Sequence, residues 1–588
     1  MMAAVEASKR LPLAADSGWA FLMSPAVQRK WLGPDGAIPP TAASTTVIEW
    51  GVGVWRTGVV DSIENNRVVL SLQPPSAWQA RHGRTTRVTV DLTADPKDGA
   101  AVVTITEDGF EDLSGTSDPE AASSEALRRW SKALDDLRDA ASKARKRTRS
   151  IRQAVLVIHG IGEQTPGRTV RDLVQAAAEP EERSAVRSKP DRISKTFELR
   201  RWNLPGSRVR PTTDFFEVYW ADKIRDTTMS QVLGWLRRLL LRRPTSIPSA
   251  LKPVWWTAWL TLALAAVVVA SFLPGLDVES TARWLGLAGT ALLGVVSGFM
   301  VHSLGDAARY LWPHPANVAV RDRIRSSGVD LLDALHNSGR YHRIIILGHS
   351  LGSVIAHDIV GQYWIATHRR HDNPISVQNT NAARLARLLE NGSPRPEDEE
   401  LGSQWSVWGE MRRNTQTWLI TDLITAGSPL AHAALLLAES PDELDGMFSR
   451  RELASCPPSP ANDLWYDSGY IDQLGRRRTF RYLTHNAPFA ATRWTNLYFP
   501  VRLGFFGDLV GGPLSDVFGE WIADRPVAWH ADRWRGHTLL AHTLYWKIPK
   551  GAREGSWDHL DALRAALDLD RKSELKDVAT AMPLESWI

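Results

Sequence analysis

The chain has 588 residues, a formal net charge of +4 and charged side chains at 23% of its positions. This length is too great for one hydrophobic core and predicts roughly two to four domains, whereas the small net charge excludes nucleic acid as the main partner. The single cysteine, Cys456, excludes a disulfide framework and a thiolate metal site.

Residues 10–145 have the pattern of a separate domain made of antiparallel strands and a long helix. Apolar and polar residues alternate over 50–71, and again over Arg87–Leu92 and Ala101–Thr106, with turn signals between the alternating stretches. From Pro119 onward, apolar residues recur at helical spacing. We therefore expect a curved antiparallel sheet that packs on a C-terminal helix.

This first region resembles the START-like (SRPBCC) superfamily, in particular its Hsp90-ATPase-activator-like branch. The resemblance rests on the two hairpins and on three short motifs, which are Ser24–Gly33 (SPAVQRKWLG), Asp108–Phe110 (DGF) and the helix that contains Trp130. The family fold is a helix grip around an apolar cavity. The resemblance therefore implies an apolar ligand as a possible partner of this domain, and no residue of the region forms a catalytic constellation.

Two long uncharged segments follow a basic stretch in the middle of the chain. Residues 254–276 and 284–305 contain no Asp, Glu, Lys or Arg, and each is long enough to cross about 30 Å of hydrocarbon as a helix. We therefore predict that residues 226–305 form a basic amphipathic helix followed by a transmembrane hairpin. The alternative is a pair of helices buried in a large core.

The charges that flank this hairpin predict its orientation. Arginines and Lys252 concentrate on the outer flanks, while the loop between the two segments carries Asp277 and Glu279. The positive-inside rule then places both large domains in the cytoplasm. We expect a two-pass protein of the cell (inner) membrane, with the lipid bilayer as a partner.

The stretch Arg343–Val360 (RIIILGHSLGSVIAHDIV) has the pattern of a nucleophile elbow. A short apolar strand leads into G-H-S-L-G, and a helical pattern follows. Gly348 and Gly352 are small enough for strand and helix to pass each other, which leaves Ser350 exposed as a nucleophile and Leu351 N–H free to bind an oxyanion. The alternative is a tight turn with an unreactive serine.

A second apolar strand, Ala154–Ile158, ends in His-Gly-Ile-Gly. In α/β-hydrolases such a strand end supplies the other half of the oxyanion hole. Gly160 and Gly162 would let the backbone approach the scissile carbonyl, and the N–H of Ile161 or its neighbour would be the second donor. We expect His159 to form structural hydrogen bonds.

The remaining catalytic residues follow from the chain order Ser, acid, His. Asp508 comes after an apolar strand and lies in a Gly-rich turn, so it is preferred over Asp422, which lies within a strand; its alternative role is to form the turn. His542 is the preferred base and His537 the alternative. Asp508 would then fix the tautomer of His542.

Residues 150–588, without the hairpin, resemble bacterial membrane-associated α/β-hydrolases with a His-Gly-Ile-Gly-Glu-Gln signature. More distantly, they resemble DDHD-type phospholipases through Gly348–Ile355, Asn496–Val510 and His542–Trp546. The distance from Pro500 to Asp508 is longer than in that family. The resemblance implies hydrolysis of ester bonds in lipids without a cofactor.

Together, these patterns predict an α/β protein whose α/β-hydrolase domain, with a mostly parallel sheet, covers 150–225 and 306–588. The transmembrane hairpin would be inserted into it, and an α+β helix-grip domain would precede it. We expect a serine esterase or lipase that cleaves an acyl ester, with no metal, no cofactor and no nucleic acid. The alternatives are a non-catalytic lipid-binding or scaffold protein with a degenerate hydrolase domain, and acyl transfer to an acceptor other than water.

Overall fold

In a computed structural model, the chain forms two compact units, the first containing Met1–Ile151 and the second Arg152–Lys572. The residues that the structure describes are 4–51, 54–64, 66–75, 85–112, 118–149, 151–161, 165–193, 200–223, 237, 240–247, 251–252, 255–256, 259, 262–263, 266, 289, 310–311, 315–368, 418–458, 465–471, 477–502, 507–530, 539–549 and 557–569.

The first unit is an antiparallel sheet packed on a long helix. Its strands are β1 (Val5–Ala14), β2 (Thr45–Gly51), β3 (Val54–Glu64), β4 (Arg67–Leu72), β5 (Thr86–Ala94) and β6 (Ala100–Asp108). They lie in the order β1-β6-β5-β4-β3-β2, and every neighbouring pair is antiparallel. Burial alternates along β5 and β6, so one face of the sheet is turned to a core.

The helices of this unit are α1 (Ala15–Met23), α2 (Pro25–Trp31) and α3 (Pro119–Arg149). The chain is extended at Ser24 because the residue before a proline avoids the helical region, and Pro25 then begins α2. Apolar residues at helical spacing on α3, among them Trp130, Leu134 and Leu137, are buried. This burial accounts for the packing of α3 on the sheet.

A buried polar network occupies the interior of this unit. Trp130 Nε1–H donates to Glu107 Oε2 at 2.7 Å, and the Arg56 guanidinium lies 2.8 Å from Glu107 Oε1. Arg56 also lies over the Trp50 ring at 4.3 Å. A separate cavity of about 720 Å³ lies beside β1 and α3, and its lining includes Lys9, Arg10, Asp98, Arg138 and Arg145. The apolar ligand of this domain stays a prediction.

The second unit is built on a mixed sheet. Its strands are β7 (Arg152–Ile158), β8 (Arg187–Pro190), β9 (Arg200–Leu204), β10 (Thr212–Val218), β11 (Arg343–His349), β12 (Ile420–Ala426), β15 (Arg493–Tyr498) and β16 (Ala523–Pro526), while β13 (Trp465–Ile471) and β14 (Arg477–Leu483) form a separate hairpin. The strands lie in the order β16-β15-β12-β11-β7-β10-β9-β8. Those from β16 to β10 are parallel to one another, β9 is antiparallel to β10, and β8 is antiparallel to β9.

Helices cover this sheet, and its central strands are therefore mostly apolar and almost entirely buried. The helices are α4 (Arg168–Ala177), α5 (Pro315–Asn337), α6 (Leu351–His368), α7 (Ala433–Leu436), α8 (Pro441–Ser449), α9 (Pro488–Ala491), α10 (Ser515–Phe518) and α11 (Asp558–Ala566). Val155, Val157, Ile345 and Leu347 form one core cluster with residues of α4 and α11. The parallel strands thus form the buried centre of the second unit.

The fold class that the sequence predicted needs correction. The larger sheet is mixed, since β8 and β9 run antiparallel to their neighbours, and the predicted transmembrane hairpin is not supported. Within the part of the chain that the structure describes, no helix combines the length and the apolar character that crossing a bilayer requires. The predicted two-pass location in the inner membrane depended on this hairpin and is therefore not supported either.

The two predicted spans, 254–276 and 284–305, lie largely outside the described residues. In the first span, Trp255 packs edge-to-face against Trp256, and Trp259 Nε1–H donates to the Leu240 carbonyl at 3.1 Å. These tryptophans thus contact one another and the preceding segment. Length and absence of charge by themselves do not establish a transmembrane span.

Candidate active site

Ser350 is the only residue between the end of β11 and the start of α6. Its φ is +51°, a left-handed conformation that is costly for a residue other than glycine. A Cβ added at Gly348 would lie 2.4 Å from the Gly352 carbonyl oxygen, and one at Gly352 would lie 2.3 Å from the Ile158 carbonyl oxygen. Both positions therefore require glycine, and the turn between strand and helix is as tight as the sequence predicted.

The loops around Ser350 follow neighbouring parallel strands at one edge of the sheet. His349 pairs with Ala426 across β11 and β12, and Ala426 pairs with Leu497 on β15. The Ser350 N–H donates to the Ala426 carbonyl at 2.9 Å. The carboxyl ends of parallel strands are where open α/β sheets bind ligands, so this edge is the candidate site.

Two backbone donors were predicted for an oxyanion. Leu351 is the first residue of α6, so its N–H has no acceptor within the helix. On the other side, Gly160 lies so close to Ser350 that an added Cβ would be 2.9 Å from Ser350 Cβ. Ile161 follows and is half-buried, and Gly162 lies outside the described residues.

His159 fixes the peptide that precedes Ile161. Trp220 donates from its backbone N–H to His159 Nε2 at 3.2 Å, so the ring proton is on Nδ1, which lies 2.8 Å from the Gly160 carbonyl oxygen. The indole of Trp220 stacks on the imidazole with centroids 4.8 Å apart. Burial lowers the pKa of His159 to about 4, so the ring is neutral. Because a trans peptide points its C=O and N–H in opposite directions, this bond directs the Ile161 N–H away from His159.

Asp508 is fully buried at the end of the loop that follows β15. Its N–H donates to the Phe499 carbonyl at 3.3 Å, and its Oδ1 accepts from the Val510 N–H at 2.9 Å. Burial by itself would raise the pKa of Asp508. The nearby His542, together with hydrogen bonds from His542, Tyr545 and the Gly511 backbone, outweighs burial and lowers the pKa to about 2. The carboxylate is therefore ionised at neutral pH.

His542 lies in the short 3₁₀ helix Leu539–Thr543 and contacts Asp508 directly. Its Nδ1 is 2.9 Å from each carboxylate oxygen, which leaves Nε2 for another partner. His542 Cε1 would lie 3.0 Å from a Cβ added at Gly427, the residue after the acceptor of the Ser350 N–H. Among the described residues, no hydrogen bond joins the Ser350 hydroxyl to His542. His537, the alternative base, lies outside the described residues.

The other carboxylate that the sequence offered, Asp422, lies elsewhere. It forms ion pairs with Arg493 at 2.5 Å and with Arg343 at 4.0 Å, both at the beginning of their strands. It therefore belongs to the opposite end of the sheet from Ser350. In the described ranges, no group of three or more His, Cys, Asp and Glu side chains is arranged to hold a metal ion.

Two residues at the site had no predicted role of their own. Tyr545 donates to Asp508 Oδ2 at 2.6 Å. His349 stacks on His542 with ring centroids 5.0 Å apart, and its Nε2 lies 3.0 Å from the His542 carbonyl oxygen. Burial, and next the charge of His542, lowers the pKa of His349 to about 3. The motifs G-H-S-L-G and H-x-x-Y-W contained both residues, but only the tertiary fold brings them together.

Comparisons of the chain with protein-family models and with curated proteins give no match. Solved structures that are similar include DynU16, from the dynemicin biosynthetic locus, at 18% identity over 24% of this chain and 48% of that one, with a TM-score of 0.20. This chain thus spans about half the length of DynU16. The others below are aligned over nearly their whole length.

MLL2253 from Mesorhizobium loti is 17% identical over 23% of this chain and 95% of that one, with a TM-score of 0.20. The Aha1 dimer from Colwellia psychrerythraea is 17% identical over 24% of this chain and 96% of that one, with a TM-score of 0.19. These small proteins align with the N-terminal part of the chain alone. They do not bear on a hydrolase.

Proposed function

We propose that this chain is a serine hydrolase that cleaves acyl esters through an acyl-enzyme on Ser350. The observation that carries the proposal is the position of Ser350, in a strained turn between β11 and α6, at the same sheet edge as the hydrogen-bonded pair His542–Asp508. A serine hydroxyl needs a neighbouring base to become a nucleophile, and that base needs a partner to orient it.

The reaction would begin with attack of Ser350 Oγ on the ester carbonyl carbon. His542 Nε2 takes the hydroxyl proton, while Asp508 accepts the Nδ1–H and stabilises the imidazolium. The carbonyl oxygen becomes an oxyanion, to which the Leu351 and Ile161 N–H groups would donate. His542 then protonates the leaving alcohol, and a water activated by the same imidazole releases the acid.

We also propose that the ester belongs to a lipid and that the second unit is an α/β-hydrolase of the His-Gly-Ile-Gly-Glu-Gln type. Support for the lipid comes from the motifs Gly348–Ile355, Asn496–Val510 and His542–Trp546, which resemble those of DDHD-type phospholipases. Support for a START-like first unit comes from its antiparallel sheet packed on α3.

Hydrolysis of p-nitrophenyl esters of graded chain length by the full chain tests the proposal. Wild type and Ser350→Ala are compared, with Ser449→Ala, which removes an exposed serine of α8, as the matched control. We expect turnover that increases with acyl length in wild type and control and is lost in Ser350→Ala. Equal rates in all three proteins would exclude Ser350 as the nucleophile, and rates independent of chain length would exclude the lipid ester.

A second candidate function is binding of an acyl compound without catalysis. Two observations favour this function. Ser350 is only 3% exposed, and among the described residues its hydroxyl has no hydrogen bond to His542. Such contacts often form only when substrate is bound. A fluorophosphonate probe separates the two functions: covalent labelling of Ser350 supports the hydrolase, and a folded but unlabelled protein supports the binding function.

A further inference from the structure

Tyr545 lies three residues after the proposed base and contacts the proposed acid. Its hydroxyl donates to Asp508 Oδ2 at 2.6 Å, and the side chain is fully enclosed. The Phe499 N–H donates to the same hydroxyl oxygen at 3.3 Å. That oxygen already accepts a hydrogen bond from the Phe499 N–H, and the ionised Asp508 can only accept, so the phenol O–H points to the carboxylate.

The carboxylate of Asp508 divides its hydrogen bonds between two oxygens. His542 Nδ1 is 2.9 Å from both, Val510 N–H donates to Oδ1 at 2.9 Å, and Tyr545 donates to Oδ2. Hydrogen bonds to an ionised acceptor stabilise its charge and weaken its hold on other protons. The bond from Tyr545 is the shortest of these contacts.

We propose that Tyr545 is a positioning residue which, through Asp508, sets the proton affinity of His542. The inference rests on the proposed function. With the phenol in place, part of the negative charge of Asp508 is satisfied by Tyr545, so the imidazolium is held less tightly and the base is neutral at a lower pH. Without the phenol, Oδ2 keeps more of its charge beside the imidazole, and His542 stays protonated to a higher pH.

Other ionisable groups face this pair in the part of the chain that the structure describes. His349 stacks on His542 from the end of β11, and His432 directs Nε2 to the Leu509 carbonyl at 3.1 Å, next to Asp508. Burial lowers the pKa of His349 to about 3, so this ring is neutral throughout the pH range of the test, and burial also lowers the pKa of His432. Burial and Asp508 raise the pKa of Tyr545 well above its usual value, so the phenol keeps its proton.

The chain contains a matched control for removal of this hydroxyl. Tyr341 is also buried, and its hydroxyl donates to the buried carboxylate of Asp214 at 2.9 Å. Tyr341 precedes β11, and Asp214 is the third residue of β10, so this pair lies at the opposite end of the sheet from Ser350. Tyr341→Phe therefore removes the same type of bond without touching the site.

The test is the pH dependence of kcat/KM for ester hydrolysis between pH 5 and 9, with the rate of fluorophosphonate labelling as a second readout. In Tyr545→Phe we expect the acid limb to move up by about 0.5 to 1 pH unit. Activity at pH 6 then falls several-fold while activity at pH 8.5 stays near wild type, and KM changes by less than about twofold. Tyr341→Phe should keep the wild-type profile.

A second substitution protects the test against a folding defect. A ring-fluorinated tyrosine at position 545 keeps the shape but is a more acidic donor, so it should move the acid limb down. The inference is overturned if the acid limb is unchanged or moves in the opposite direction in either variant, or if it moves equally in Tyr341→Phe. In that case, ester hydrolysis by the wild type still upholds the proposed function. A wild type that neither turns over esters nor reacts with the probe overturns both.

Discussion

Gly160 and Ser350 come from different strand ends and lie against each other, so that a Cβ added at Gly160 would be 2.9 Å from Ser350 Cβ. The same added atom would be 3.1 Å from His349 Nδ1. Neither neighbour is a flexible side-chain end that can swing away. The loop after β7 therefore approaches the nucleophile only because residue 160 is a glycine.

Gly160→Ala should thus reduce kcat by about 10²-fold or more, since a shift of roughly 1 Å in catalytic geometry has such an effect. Gly361→Ala, in the middle of α6, is the control, because nothing lies within 4 Å of the added Cβ and alanine favours a helix. Ester hydrolysis of both purified variants is the measurement. A Gly160→Ala enzyme as active as wild type would contradict the close approach.

Asp508→Asn should reduce kcat by about 10³- to 10⁴-fold at pH 7 and leave the protein folded. The amide removes the charge that stabilises the imidazolium, and its NH₂ group favours the wrong tautomer of His542. Asp561→Asn, in α11 with its side chain 46% exposed, is the matched control. Loss of activity in both variants, or in neither, would argue against Asp508 as the acid.

The site could be predicted from sequence where the signal is local. Gly348, Ser350 and Gly352 stand together in the chain, so their spacing alone predicted the tight turn. Asp508 and His542 were chosen by their order after the strands, and the structure places them in contact. Their roles stay predictions until the variants are measured.

The contributions of Tyr545 and His349 depend on packing between segments far apart in the chain. Tyr545 contacts a carboxylate 37 positions earlier, and His349 contacts His542 across 193 positions. No periodicity in the sequence encodes such distances. Their residue types were visible in the motifs, but their partners were not.

The sequence predicted the strands that are apolar and missed strands that lie at the edge of a sheet and carry charged residues. β7 and β11 are mostly apolar, and β12 is apolar apart from Thr421, Asp422 and Thr425, so the sequence identified each of these strands. β8 is exposed along its length and has no apolar face, and the charged Lys9 and Arg10 and the proline Pro12 interrupt β1, although its residues alternate in burial. The length and the absence of charge of segments 254–276 and 284–305 led to the predicted transmembrane hairpin, which the described part of the chain does not support.

The stability of the second unit should depend on pH through His159. Burial lowers the pKa of this histidine from 6.5 to about 4, so between these values the unfolded chain binds a proton that the folded chain does not. Above pH 6.5 the titration of His159 therefore does not reduce the free energy of unfolding, and as the pH falls from 6.5 towards 4 this free energy decreases. The decrease amounts to at most about 3 kcal/mol.

Urea denaturation at pH 7.5, 5.5 and 4.5 measures this dependence. His159→Asn is the comparison, because the amide can donate to the Gly160 carbonyl but does not titrate in this range. We expect a smaller loss of stability with falling pH in the variant, while His349, His432 and His559, whose pKa values burial also lowers, contribute equally to both proteins. If the free energy of unfolding falls equally with pH in both proteins, His159 does not contribute to the pH dependence of stability.

The beginning of β11 is anchored by a buried ion pair that stabilises the sheet from the end opposite Ser350. Arg343 Nη1 lies 2.7 Å from Asp568 Oδ2, and both Arg343 Nε and Nη2 donate to Gln153 Oε1. Removing one partner leaves a buried charge without full compensation, so Arg343→Met should lower the free energy of unfolding by about 3 to 5 kcal/mol.

Arg343 and Ser350 are seven positions apart on and just after one strand, or about 20 Å at the rise of an extended chain. The folded fraction of Arg343→Met should therefore keep the wild-type kcat and pH profile, as judged by activity per labelled serine. Asp568 also contacts Arg493, so Arg343→Met combined with Asp568→Asn should cost less than the sum of the two single variants. Strict additivity, or a changed pH profile in Arg343→Met, would contradict a structural role confined to this end of the sheet.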